Sequence, residues 1–181
     1  PGAKVLPALR RGNVVGALQL GLRPAGDDGL DATGILNAAA EGRTELLVLL
    51  GADPLSDFPD SDLARRALAG ARRVIAVDTF LSESSKRADV VLAAAAYGEQ
   101  DGTTTNLEGR VTRLRRKITV AGTSRPDWMV AAELADRLGL EDLAHELGSV
   151  DAITALMAIR VPAYAGVSDG ALDASPGGGL A

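Results

Sequence analysis

Residues able to do chemistry gather in three short stretches. The largest, "GEQDGTTTNLEGRVTRL" at 98–114, crowds Glu99, Asp101, Asn106, Glu108 and Arg110 around glycines and threonines, in a chain otherwise dominated by Ala, Leu and Val. Neighbouring carboxylates can serve as a general acid and base when their environments differ. Here no histidine lies near, no nucleophile stands beside a base, and the threonines lack a Ser/His/Asp arrangement, so catalysis is the lesser reading. The second stretch is Gly51-Ala52-Asp53-Pro54. Glycine reaches backbone angles that other residues avoid, and free N–H groups at a strand-to-helix turn suit an anion such as phosphate. The stretch matches neither G-x-G-x-x-G nor a Walker loop, and a plain turn explains it better. The third is Asp78, which ends an apolar run where dinucleotide folds place a ribose-binding acid. It stands 27 positions after Gly51, a looser spacing than the usual value of about 20, and a carboxylate capping the turn into Ser82 competes with that role.

Composition removes whole classes of function. The chain has no cysteine, which excludes disulfides, thiolate metal sites and cysteine-held iron–sulfur clusters from these residues. The one histidine, His145, reads as a helix-surface residue, and no metal site is expected. A net charge of −5 argues against a general nucleic-acid binder. No apolar run has the length of a membrane span, so a soluble chain without direct membrane insertion is expected. The N-terminus lacks Met and a signal-peptide pattern, consistent with an internal piece of a longer protein. Arginine far outnumbers lysine, which suggests a GC-rich bacterial source.

The elements that must position these residues follow from periodicity. Residues 1–12 read as loop. Asn13 caps a short helix that stops at Gly21, and Asp31 or Thr33 caps a second, with Ile35, Leu36 and Ala39 on one face and Gly42 at its close. Residues 46–50 read as a strand covered on both faces. A helix capped by Asp60 or Ser61 buries Leu63, Ala67 and Leu68. Residues 74–77 form a second buried strand, a short turn starts near Ser82, and a third strand begins at Val90. This order predicts a doubly wound, mainly parallel α/β sheet with flanking helices. Right-handed crossovers then bring the strand ends to one rim. A β-hairpin-like excursion follows. Next comes a helix capped by Ser124 with a Trp128, Ala131, Ala132, Ala135, Leu138 stripe, and then a short helical C-terminal region. The tail beyond Pro162 is expected to be surface-draped or mobile.

Taken in order, "GADP", "RRVIAVDTFLSESSKRADVVLAAAAYGEQDGTTTNLEGRV" and "RPDWMVAAELADRLG" resemble the molybdopterin oxidoreductase superfamily over roughly residues 11 to 140. "GNVVGALQLGLRP" and "VPAYAG" resemble one branch, the C-terminal region of the large iron–sulfur (G) subunit of bacterial NADH–quinone oxidoreductase, respiratory complex I. The resemblance implies an α/β domain at 1–140, itself a possible fragment of a larger domain, and short helices with a Gly-rich tail at 141–181. It implies cofactor-side positions at Gly51, Asp53, Pro54, Asp78, Glu99, Gly102, Thr103, Asn106 and Arg110. One departure stands out: the family's third strand ends Leu-Pro, and here it is Leu92-Ala93, which frees a fixed backbone angle. In the complex I branch these positions would be vestigial. The segment would carry no redox centre and no cofactor of its own, with iron–sulfur clusters on cysteines N-terminal to it. Its partners would be other peripheral-arm subunits on the cytoplasmic face of the bacterial inner membrane. The alternative is a segment of a true molybdenum enzyme, formate dehydrogenase-like, holding molybdopterin guanine dinucleotide at the sheet edge. In the first case the charged residues of 98–114 are expected to bond one another and nearby loops.

Overall fold

The computed structural model describes residues 11–26, 28–175 and 179–180. The expected loop at 1–12 therefore falls almost wholly outside the described residues. The elements are α1 (Val14–Gln19), α2 (Ala32–Ala40), β1 (Leu47–Leu50), α3 (Pro54–Asp57), α4 (Ser61–Gly70), β2 (Val74–Asp78), β3 (Val90–Ala93), β4 (Gly102–Thr105), β5 (Val111–Leu114), α5 (Asp127–Arg137), α6 (Glu141–Glu146), α7 (Val150–Arg160) and α8 (Asp169–Ala174). The chain forms two compact units. One comprises the described residues of Pro1–Leu22, Asp101–Arg115 and Ser149–Ala181, and the other those of Arg23–Gln100 and Arg116–Gly148.

The larger unit is built on a three-stranded sheet in the order β1-β2-β3, with both pairs parallel. The parallel α/β reading holds. Asp31 caps α2 by accepting from Gly34 N at 2.8 Å, and Asp60 caps α4 through Leu63 N at 2.9 Å. These two helices pack together and bury Leu36, Ala39, Leu63, Ala67 and Leu68 against Leu47, Leu49, Val74 and Ala76. Each fully buried leucine contributes about 2 kcal/mol. Gly70 permits the close approach, since a Cβ there would stand 2.4 Å from the Ala39 carbonyl oxygen.

Several expectations fail in this unit. β1 is not covered on both faces: Leu47 and Leu49 are buried while Val48 and Leu50 are 51% and 59% exposed. Its apolar run is continuous, yet helices cover only alternate residues. Val90 and Val91 of β3 are also exposed. Ile35 lies outside the buried face of α2. Ser124 does not cap α5, because its hydroxyl donates to the Ala121 carbonyl. Pro126 takes the cap position, so the helix begins at Asp127, later than a Ser124 cap would set it. The buried residues of that helix are Val130 and Ala135, while Leu138 is exposed.

The smaller unit pairs β4 with β5 antiparallel. Asn13 precedes α1 in a left-handed conformation, and its side chain does not cap the helix; its Oδ1 accepts from Thr105 N of β4 at 2.8 Å. The stretch beyond Pro162 is not a draped tail. Tyr164, Val167 and Leu172 are buried with Val111, and Leu180 bridges to Val111. Residues 176–178 lie outside the described residues.

Candidate functional site

Because β1, β2 and β3 run in parallel, their C-terminal ends share one edge of the sheet. Gly51 closes β1 with φ +55°, exposed, and donates its N–H to the Val77 carbonyl at 2.8 Å. Pro54 occupies the first turn of α3, where its missing N–H costs nothing. Between them stands Asp53. Its Oδ1 accepts from Ser84 N at 3.1 Å and from Ser84 Oγ, and its Oδ2 accepts from Ser56 Oγ at 2.8 Å. Ser84 Oγ in turn accepts from Leu55 N at 3.0 Å.

Asp78 does the same at the end of β2. Its Oδ2 accepts from Ser82 Oγ at 3.0 Å and Ser85 Oγ at 2.8 Å, and its Oδ1 accepts from Phe80 N at 3.3 Å. Ser84 and Ser85 are both 0% exposed. Buried hydroxyl and N–H groups need acceptors, and the two strand-end carboxylates supply them. The result is a clamp: the turn from Ser82 to Ser85 is tied to the ends of two adjacent strands. Burial works against the charge on Asp53, but the hydrogen bonds from Ser84 and Ser56 outweigh it and hold the carboxyl below its ordinary value. The reading of Asp78 as a cap on the turn into Ser82 holds, whereas Ser84, Ser85 and the reach of Asp53 to Ser84 escaped sequence reasoning. Three hydroxyls in "LSESS", directly after a strand ending in aspartate, were the available signal.

Glu99 turns inward on its own segment, accepting from Ala96 N at 2.8 Å. Ala93, at the Leu-Pro departure, pairs with Asp78, and its carbonyl accepts from Arg125 N at 3.0 Å. Gly51, Asp53, Pro54, Asp78 and Glu99 thus belong to the larger unit, whereas Gly102, Thr103, Asn106 and Arg110 belong to the hairpin unit. In the hairpin, Gly102 pairs with Leu114 and Thr103 with Arg113. Asn106 Oδ1 accepts from Glu108 N and Arg110 N, both at 2.9 Å, which closes the turn. The Arg110 guanidinium reaches the Gly179 carbonyl at 3.4 Å. The bonding to neighbouring segments expected of these charged residues is seen in Arg110 and in Arg113, which pairs with Asp151 and Asp169, while the turn itself is closed by an amide side chain and the backbone.

Elsewhere in the larger unit, a groove of about 490 Å³ is lined by Ile75, Val90, Leu92, Val130, Leu134 and Arg137 among others, and none of the candidate residues lines it. Burial raises the Asp127 carboxyl above its ordinary value. No group of His, Cys, Asp and Glu suited to a metal ion occurs among the described residues, and no helix there is long and apolar enough to cross a membrane.

Comparison with known proteins agrees with this geometry. NADPH-Fe(3+) oxidoreductase subunit alpha of Geobacter sulfurreducens is 37% identical over 157 residues, covering 84% of this chain and 18% of that protein. F420-dependent formate dehydrogenase 2 subunit alpha of Methanococcus maripaludis is 38% identical over 141 residues, covering 77% and 20%. The G 2 subunit of NADH-quinone oxidoreductase of Rhizobium meliloti is 34% identical over 142 residues, covering 78% and 16%. The chain therefore spans about a fifth or less of the length of these relatives. The structure of acetylene hydratase from Pelobacter acetylenicus shares the fold, with a TM-score of 0.62 and 19% identity over 77% of this chain and 19% of that one. A family model described as molybdopterin oxidoreductase matches residues 6–137, and the chain belongs to that family.

Proposed function

We propose that this segment is a non-catalytic scaffold module of a multi-subunit oxidoreductase of the NADH–quinone type, a vestigial cofactor domain that supports and docks within the peripheral arm. The observation that carries this reading is the engagement of Asp53 and Asp78. Each carboxylate accepts three hydrogen bonds from its own chain. A molybdopterin guanine dinucleotide would need such acids free for its hydroxyls, and the serine clamp takes most of their capacity. This engagement counts against the dinucleotide at this edge. Gly51, Pro54, Glu99, Gly102, Thr103, Asn106 and Arg110 are read as retained family positions with structural tasks. The 34% identity to the large subunit of an NADH-quinone oxidoreductase supports the branch. Iron–sulfur clusters would need ligands from outside these residues, because no cysteine is present. The expected setting is the cytoplasmic face of a bacterial membrane, reached through partner subunits.

A second reading keeps the dinucleotide: the segment belongs to a molybdenum enzyme resembling a formate dehydrogenase. The 38% identity to a formate dehydrogenase alpha subunit favours it. Elemental analysis of the native complex separates the two. Iron without molybdenum is the expected result, and molybdenum near one atom per polypeptide overturns the scaffold reading.

A further inference from the structure

The groove between β3 and α5 takes no part in the strand-end clamp: Asp53, Asp78, Ser84 and Ser85 all lie outside its lining. Val130 seats α5 towards the C-terminal ends of the strands by packing with Val77 and Ala94. The segment before the helix is fixed there too, with Arg125 N bonded to the Ala93 carbonyl at 3.0 Å and Ala95 N to the Arg125 carbonyl at 2.8 Å. The first half of β3 stays exposed, Val90 by 47% and Val91 by 41%, and so does Leu134 of α5 by 38%. The space bounded in this way is about 490 Å³.

The charges of this groove do not balance. Arg125, Glu133 and Arg137 all line it. Arg125 pairs with Glu133. Arg137 has no hydrogen-bond or ion-pair partner among the described residues. Of the residues not described, only Asp27 has an acidic side chain. The lining therefore holds one guanidinium without a counter-charge beside an apolar floor, and Thr123 adds a hydroxyl.

We propose that this groove binds a small anionic amphiphile, a monocarboxylate with an apolar chain. Its carboxylate sits on Arg137 and its chain lies along Val90, Val91 and Leu134. The guanidinium presents a fork that matches a carboxylate, and a single negative charge neutralises the lining. Size decides against a partner helix. One helical turn with its side chains, about 5.4 Å long and about 10 Å across, fills roughly 420 Å³, so the groove holds little more than one turn. Small-molecule sites occupy roughly 300–1,000 Å³ and combine an apolar lining with a few polar groups, as here. Because the clamp and the groove share no residue, failure of this site leaves the scaffold reading standing.

Titration of decanoate into the native polypeptide, below its micellar concentration and with decanol as the uncharged match, tests this. Decanoate should raise the Tm and bind at least about tenfold more tightly than decanol. Arg137→Gln should weaken decanoate about tenfold and leave decanol unchanged. Leu134→Glu, which sets a carboxylate into the lining at an exposed position, should abolish decanoate binding. No binding of decanoate at millimolar concentration, as a groove filled by other parts of the polypeptide would give, overturns the proposal. Equal affinities for decanoate and decanol, or decanoate binding that neither variant alters, also overturn it.

Discussion

The larger unit and the hairpin unit solve the same problem with different materials. The sheet unit buries a layer of leucine, valine and alanine between two helices and one sheet face, and uses its polar residues at the strand ends to hold a single turn. The hairpin unit has a small apolar cluster around Val111, Tyr164, Val167 and Leu172. It joins its helices to the strands with polar bonds: Tyr164 OH to Thr105 Oγ1 at 2.8 Å, and Arg113 to Asp169 and Asp151. In one unit, therefore, polar side chains fix a local turn beside an apolar layer. In the other they help hold the tertiary structure together.

The sharpest way to break this contrast is a core truncation. Leu63→Ala in the sheet unit should cost about 2–5 kcal/mol. Chemical denaturation monitored by circular dichroism reads it, and a cost under about 1 kcal/mol would mean that the apolar layer is not what holds this unit. In the hairpin unit the corresponding substitutions are polar. Arg113→Met strands Asp169, whose side chain is 29% exposed. Tyr164→Phe leaves the Thr105 hydroxyl buried without its partner. About 1–3 kcal/mol is expected for each. Neutral outcomes for both would make the unit another apolar core.

Turn residues give smaller effects. Asn106→Ala removes the acceptor for two backbone N–H groups and should cost about 1 kcal/mol, whereas Glu108→Ala should stay within about 0.5 kcal/mol. Equal losses in thermal melts would restore the charge-pairing reading of this loop. The smallest effect is in pH. Asp53 titrates below the ordinary 3.8 in the folded state, so its contribution is complete above that value and is lost as pH falls through the folded value. The stability gap between wild type and Asp53→Asn should therefore narrow as pH falls below 3.8. Asp127, raised by burial, has the opposite sign, and its charge weighs against folding once pH rises above the ordinary carboxylate range.

Much of the sheet unit was legible because its signals are local. Asp31 and Asp60 cap the helices they were expected to cap, Gly42 ends α2 with φ +72°, and three apolar runs became three parallel strands. What local signals do not encode is which face is covered. A continuous run such as residues 46–50 implies two buried faces, yet Val48 and Leu50 on one of them are 51% and 59% exposed. The hairpin unit was less legible because its bonds span long sequence distances. Asn13 meets Thr105 and Tyr164 meets Thr105, and neither pairing leaves a periodic trace. At the candidate site, the types of Asp53 and Asp78 were legible. So was the cap that Asp78 places on the turn into Ser82; the engagement of Asp53 was not, since it depends on where Ser84 comes to lie.

The clamp itself is the point on which the functional reading turns. Asp53→Asn and Asp78→Asn should be made in the native protein, measuring the Tm together with guanine nucleotide released by acid. A Tm lowered by several degrees is predicted for each variant, with no guanine nucleotide released from wild type or either variant. An unchanged Tm, together with stoichiometric nucleotide in wild type that is lost in the variants, would make these aspartates ligand contacts and contradict the scaffold role.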